Sequence, residues 1–85
     1  MTRPERTLAG SQHDPLVGGS IDAARRRLAR EFREGGLDTP ELDARIIVGH
    51  ALGLDHTALA ARSSRRLAAE EAGAIAALSA RRLAR

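Results

Sequence analysis

The residues in this sequence that could do chemistry are three histidines, a scatter of carboxylates and many arginines, and no arrangement of them makes a catalytic centre. His13 stands in a stretch without helical periodicity. His50 and His56 are six residues apart across a helix break, which is not the spacing of two metal ligands on one helical face. His50 reads as a helix residue at the edge of the core. Asp43 interrupts an apolar helix, but no second carboxylate or nucleophile can be placed beside it for acid–base work. It reads as a structural carboxylate, facing solvent, tying down the turn at 35–39 or pairing with an Arg. Val17-Gly18-Gly19-Ser20 and Glu34-Gly35-Gly36-Leu37 lack the preceding strand and the spacing of a phosphate-cradling loop. They read as linker and helix stop. The absence of Cys excludes disulfides, thiolate metal sites and a Cys nucleophile.

The charge pattern is one-sided in kind more than in amount. All 14 basic side chains are Arg against 11 acids, a net charge of +3. The isoelectric point near 11.2 reflects the extreme pKa of Arg more than a strongly basic surface. Arg25-Arg26-Arg27 with Arg30 and Arg33, Arg65-Arg66 and Arg81-Arg82 could meet phosphates. Acids are interspersed among them, however, and with one Phe and no Trp or Tyr there is no platform for stacking bases. Solvated helix faces are the simpler reading, and nucleic acid is an unlikely partner. Arg81-Arg82, at a helix end, could equally serve a neighbouring domain or a protein partner.

The elements that position these groups are helical. Eighty-five residues make one small domain, which buries only about 60% of its unfolded surface. Abundant Ala and Leu favour close-packed helices. Residues 1–19 read as a disordered tail, punctuated by Pro4, Gly10, Pro15, Gly18 and Gly19; the competing reading there is a short helix around Thr7–Gln12. Ser20 or Asp22 caps a first helix over 21–34, with Ile21, Ala24, Leu28 and Phe32 at helical spacing and an Asp22–Arg26 pair on the other face. Gly35-Gly36 stops it. Thr39 caps a second helix from Pro40 to about Leu52, closed by Gly53. Its run Ile46-Ile47-Val48 predicts a helix set between neighbours, with Ile46 at the aliphatic centre of the fold. Asp55 caps a short helix over 56–62, anchored by Leu59. A last helix over 69–84 carries Ala72, Ile75, Leu78 and Leu83 on its apolar line, with Glu70 and Glu71 at its start and Arg81, Arg82 and Arg85 near its end, as the helix dipole favours. Ala68 leaves its start without a Ser or Thr cap. The expected architecture is all-α, a small irregular or orthogonal four-helix bundle over 20–85 behind a disordered N-terminal tail. No apolar run reaches the ~18 residues of a membrane span, and no secretory signal is evident, so a soluble cytoplasmic protein is expected. The last helix has no stop signal, and a longer protein is expected to continue past Arg85.

The order of these segments resembles the N-terminal domain of the release-factor glutamine methyltransferases, the PrmC/HemK family. An opening helix (Ile21–Glu34) is followed by Leu42-Asp43-Ala44-Arg45, an aliphatic pair, Ala51-Leu52-Gly53, a short helix after Asp55 and a last helix ending in Arg81-Arg82. Leu67-Ala68-Ala69-Glu70-Glu71 departs from the Leu-Thr or Leu-Ser usual in the family at that point. The resemblance implies a transferase of translation termination. Its S-adenosylmethionine-dependent catalytic domain methylates the Gln of the Gly-Gly-Gln motif in peptide chain release factors, using a glycine-rich loop and an Asn-Pro-Pro-Tyr motif. Neither motif is in this sequence. The resemblance therefore implies a substrate-recognition domain, without catalytic or cofactor-binding residues of its own, whose partners are the release factor and a catalytic domain expected downstream. Arg45, Arg81 and Arg82 are the candidate partner-binding residues. The alternatives are a small Arg-rich nucleic-acid-binding domain, or a stand-alone helical adaptor that buries its Ile46–Val48 face in a partner.

Overall fold

The computed structural model describes residues 16–84. Residues 1–15 and Arg85, and with them His13, most of the expected tail and the alternative helix at Thr7–Gln12, lie outside the described residues. Four helices follow in order, α1 (Ile21–Glu34), α2 (Pro40–Leu52), α3 (His56–Ala61) and α4 (Ala69–Ala84), in an irregular all-α bundle. α1 and α2 pack most extensively, and α2 also packs against α4 and α3.

α1 buries the stripe its spacing announces: Ile21, Ala24, Leu28 and Phe32, joined by Ala29. Its first turn leaves N–H groups that the helix itself cannot pair. The Ser20 Oγ accepts from the Ala23 N–H at 3.0 Å. The Ile21 N–H donates to the Arg65 carbonyl and the Asp22 N–H to the Ser63 carbonyl, both at 2.9 Å. The chain just before α1 continues this pairing. The Gly18 N–H donates to Leu67 O at 3.0 Å, the Leu67 N–H returns to Gly19 O at 2.8 Å, and Ser20 and Arg66 form an isolated antiparallel bridge. Residues 16–19, read as the end of the tail, therefore form a turn locked to the α3–α4 connection, and Leu16 joins the core. No apolar periodicity could have shown this, because the segment is held by backbone pairing to a stretch distant in sequence.

α1 and α2 end in the same way. Gly36 (φ +84°) and Gly53 (φ +69°) adopt the left-handed conformation. The Leu37 N–H bonds Phe32 O at 3.0 Å and the Gly36 N–H bonds Arg33 O at 3.1 Å; the Leu54 N–H bonds Gly49 O at 2.9 Å and the Gly53 N–H bonds His50 O at 3.4 Å. Both are Schellman closures, with the leucine after each glycine folded back toward the core. Asp55 caps α3 through the Ala58 N–H at 2.8 Å. At α4, where Ala68 offers no hydroxyl, the Glu71 carboxylate reaches back to the Ala68 N–H at 2.9 Å, half of a capping box.

Three expectations need correction. Thr39 precedes Pro40 as expected, but its φ of −127° and ψ of 67° leave its hydroxyl without a cap bond. Ile46 is not at the centre: it is 50% exposed and Leu42 45%, while α2 buries Ala44, Val48 and Gly49. Consecutive residues on a helix lie 100° apart, so Ile46, Ile47 and Val48 cannot share one face; Val48 takes the core, Ile47 the margin and Ile46 solvent. On α4 the buried line is Ala72, Ile75 and Ser79, with Leu78 half-buried and Leu83 exposed. The Ser79 hydroxyl is satisfied locally by donating to Ala76 O at 3.1 Å, so its burial leaves no orphan polar group.

Two glycines give opposite predictions. A Cβ on Gly49 would lie 2.7 Å from the Leu54 carbonyl oxygen, backbone fixed by the α2 closure. Overpacking of ~1–3 kcal/mol there outweighs the ~1 kcal/mol helix-propensity gain of Ala. Gly73, inside α4, has open space around the corresponding position. Gly49→Ala should lower and Gly73→Ala raise the thermal midpoint, by about 4–8 °C per kcal/mol in a domain of this size, measured by circular dichroism melting.

Candidate functional site

Asp43 is resolved by the fold. It projects from α2 toward α4, where its Oδ2 accepts from Arg82 Nη2 at 3.2 Å, with the carboxylate side chain 14% exposed. Of the readings open for Asp43, pairing with an Arg is the one the fold adopts. Arg82 is thereby committed to joining two helices, and its side chain remains 41% exposed. Arg81, beside it, is exposed and unpaired among the described residues.

Most other guanidinium groups are also spoken for. Arg25 pairs with Asp22 at 2.5 Å, and Arg26 pairs with the other oxygen of the same carboxylate. Arg27 pairs with Glu31, Arg33 with Glu41 and Arg65 with Glu71. Arg66 donates to Gly18 O at 2.9 Å. The Arg25 hydrogen bond holds the Asp22 carboxyl below the usual carboxylate range against partial desolvation, helped by the positive charges of Arg25 and Arg26. Glu71 is lowered in the same sense by its hydrogen bond from Arg65 and then by the Ala68 N–H. These pairs divide the Arg clusters of the sequence and offset part of their charge.

Arg30, Arg45, Arg62 and Arg81 have no partner among the described residues, and of these four only Arg45 is half-buried. It lines a cleft of about 320 Å³ between three helices, with Ile21, Asp22 and Arg25 of α1 and His56 and Leu59 of α3. The floor is aliphatic and the rim carries two guanidinium groups and an imidazole against one carboxylate. The sequence marked Arg45 but gave no sign that His56, Asp22 and Arg25 would stand around it; only the packing of α1 and α3 on α2 brings them together. His50 is on the outward side of α2, in solvent rather than at the core edge. Among the described residues no group of three or more His, Cys, Asp or Glu side chains could hold a metal ion. The glycine pairs are accounted for by a left-handed helix closure and by the turn bonded to Leu67. Among the described residues, α1 leads into Gly35-Gly36 and a turn at 16–17 into Gly18-Gly19. No described helix is long and apolar enough to cross a membrane.

Residues 23–85 match the family described as the PrmC N-terminal domain. The chain belongs to that family. The chain is also 51% identical over 71 residues to a release factor glutamine methyltransferase of Bradyrhizobium diazoefficiens, an alignment covering 84% of the chain and 24% of that relative. The chain thus spans about a quarter of the length of the curated relative it matches. No solved structure matches it at a significant level.

Two ion pairs can be tested here. A double-mutant cycle on Asp43→Asn and Arg82→Gln, read by urea denaturation, should return a coupling of about 1 kcal/mol, the upper end for a partly exposed pair; additivity would show that the α2–α4 contact is purely apolar. For Asp22 the folded pKa lies below the unfolded one, so its stabilisation is complete above the unfolded value near 3.8 and is lost as pH falls through the lower folded value. Asp22→Asn should be less stable than wild type at neutral pH, and the two denaturation midpoints should converge as pH falls below 3.8.

Proposed function

We propose that this domain holds a peptide chain release factor for methylation of a glutamine side chain, the transfer itself being carried out by the remainder of a longer protein. The reading rests above all on the family match over 23–85, together with the likeness to a release factor glutamine methyltransferase. The longer protein would take its methyl group from S-adenosylmethionine and would act in the cytoplasm, where release factors work.

The physical logic is one of positioning. A glutamine amide is a weak nucleophile, so methylation depends on presenting it to the donor in a narrow geometry. Contacts remote from the reacting atoms supply binding energy that can be used for that alignment. A small helical domain suits this division of labour. A nucleic-acid role has less support, because six of the eleven described Arg side chains are held in ion pairs with acids. A stand-alone adaptor using Ile46–Val48 as one face conflicts with the burial of Val48 in the domain's own core.

The test is binding of the purified chain to a bacterial release factor by isothermal titration, with S-adenosylmethionine, duplex DNA and RNA as parallel titrants. Saturable binding to the release factor alone is expected. Binding to nucleic acid alone, falling steeply with salt, would replace the proposal with a phosphate-binding role.

A further inference from the structure

Deepening the proposed function and resting on it, we infer that the cleft between α1, α2 and α3 receives an acidic side chain of the protein substrate, with Arg45 as its central contact. Four observations carry this. Arg45 is the one partly buried Arg that lacks a partner among the described residues, and a guanidinium without a counter-charge can form charge-assisted hydrogen bonds with an incoming carboxylate. The cleft holds Arg25 and Arg45 against Asp22 alone, with His56 able to donate a further hydrogen bond from the rim. Asp22 already shares its two oxygens between Arg25 and Arg26, so it is not available to Arg45 without breaking those pairs. The cleft floor of Ile21 and Leu59 can take the methylene stem of a Glu or Asp.

The surroundings favour a protein over a polyanion. Leu42, one turn before Arg45 on α2, is 45% exposed, and Ile46, next to it in sequence, is 50% exposed. Arg is one of the residues enriched at protein-binding hot spots, and exposed aliphatic groups beside it add apolar area that a protein partner can cover. Phosphate recognition gains nothing from Leu and Ile, and the aromatic platforms that hold nucleic-acid bases are missing from the cleft.

The Arg45 side chain has no hydrogen-bond or ion-pair partner among the described residues, so removing its charge should separate binding from folding. The purified chain, its Arg45→Gln, Arg45→Lys and Arg45→Glu variants and a bacterial release factor are compared by isothermal titration, with amide spectra of the labelled chain and thermal melts of each variant. The inference expects Arg45→Gln to weaken release-factor binding about 10-fold, a loss of ~1.4 kcal/mol. Arg45→Lys should lose less, the melting midpoints should be unchanged, and the amide shifts caused by the release factor should centre on Arg45, His56 and Leu59. Reversing one acidic residue of the release factor to Arg should restore affinity to Arg45→Glu.

Wild-type affinity retained by Arg45→Gln overturns the cleft assignment and leaves the proposed function standing. Failure of the wild-type chain to bind the release factor overturns both. Loss of binding with a lowered melting midpoint and no rescue by charge reversal assigns Arg45 a structural role and overturns the inference. So does an equal, Arg45-dependent affinity for a short RNA at moderate salt.

Discussion

This domain depends on one short helix having a small buried face. α2 turns Ala44, Val48 and Gly49 inward, while the bulkier core side chains arrive from its neighbours: Ile21, Leu28 and Phe32 from α1, Leu59 from α3 and Ile75 from α4. A helix that offers little volume of its own lets other helices approach closely, and their large residues fill the space. The position of Gly49 shows how tight this is, since the chain leaving α2 folds back directly over it. The same arrangement leaves Leu42 and Ile46 turned toward solvent, while Ile47 and Leu52 pack at the margin of the core.

Much of the architecture was legible because the signals were local. Ser20 and Asp55, Pro40 and the Gly-Leu pairs at 36–37 and 53–54 each act within a few residues, through backbone groups that every helix end must satisfy. The stripe of α1 was equally plain, because its buried residues are large and evenly spaced. α2 was misread where a run of large apolar residues outweighed Ala44 and Gly49, whose small size is the reason they are buried. On α4 a serine occupies a core position that polarity argued against, and a backbone carbonyl one turn away makes that possible. Thr39 illustrates the limit of residue type as evidence: it stands at the cap position without the backbone conformation that would aim its hydroxyl.

The candidate site was legible only in fragments. Arg45 and the Arg81-Arg82 pair could be marked from the sequence, but not told apart. The fold divides them: Arg82 ties α4 to α2, Arg81 stands free among the described residues, and Arg45 sits half-sheltered over an aliphatic floor. That division follows from contacts between residues far apart in the chain, such as Asp43 with Arg82, which no short motif encodes. It also shows why counting arginines misjudges the surface. Acid partners engage about half of the described Arg side chains, and the remaining cations matter according to their burial and neighbours.

The bonding of the turn at 16–20 to residues 63–67 has a bearing on how the domain assembles. The α1–α2 hairpin can form from neighbours in sequence, whereas the Arg66–Gly18 contact closes a loop of 48 residues. Closing so long a loop carries an entropic penalty that only a nearly complete structure can offset. The hairpin is therefore suited to form early, and the backbone clasp at the entrance to α1 to form after it.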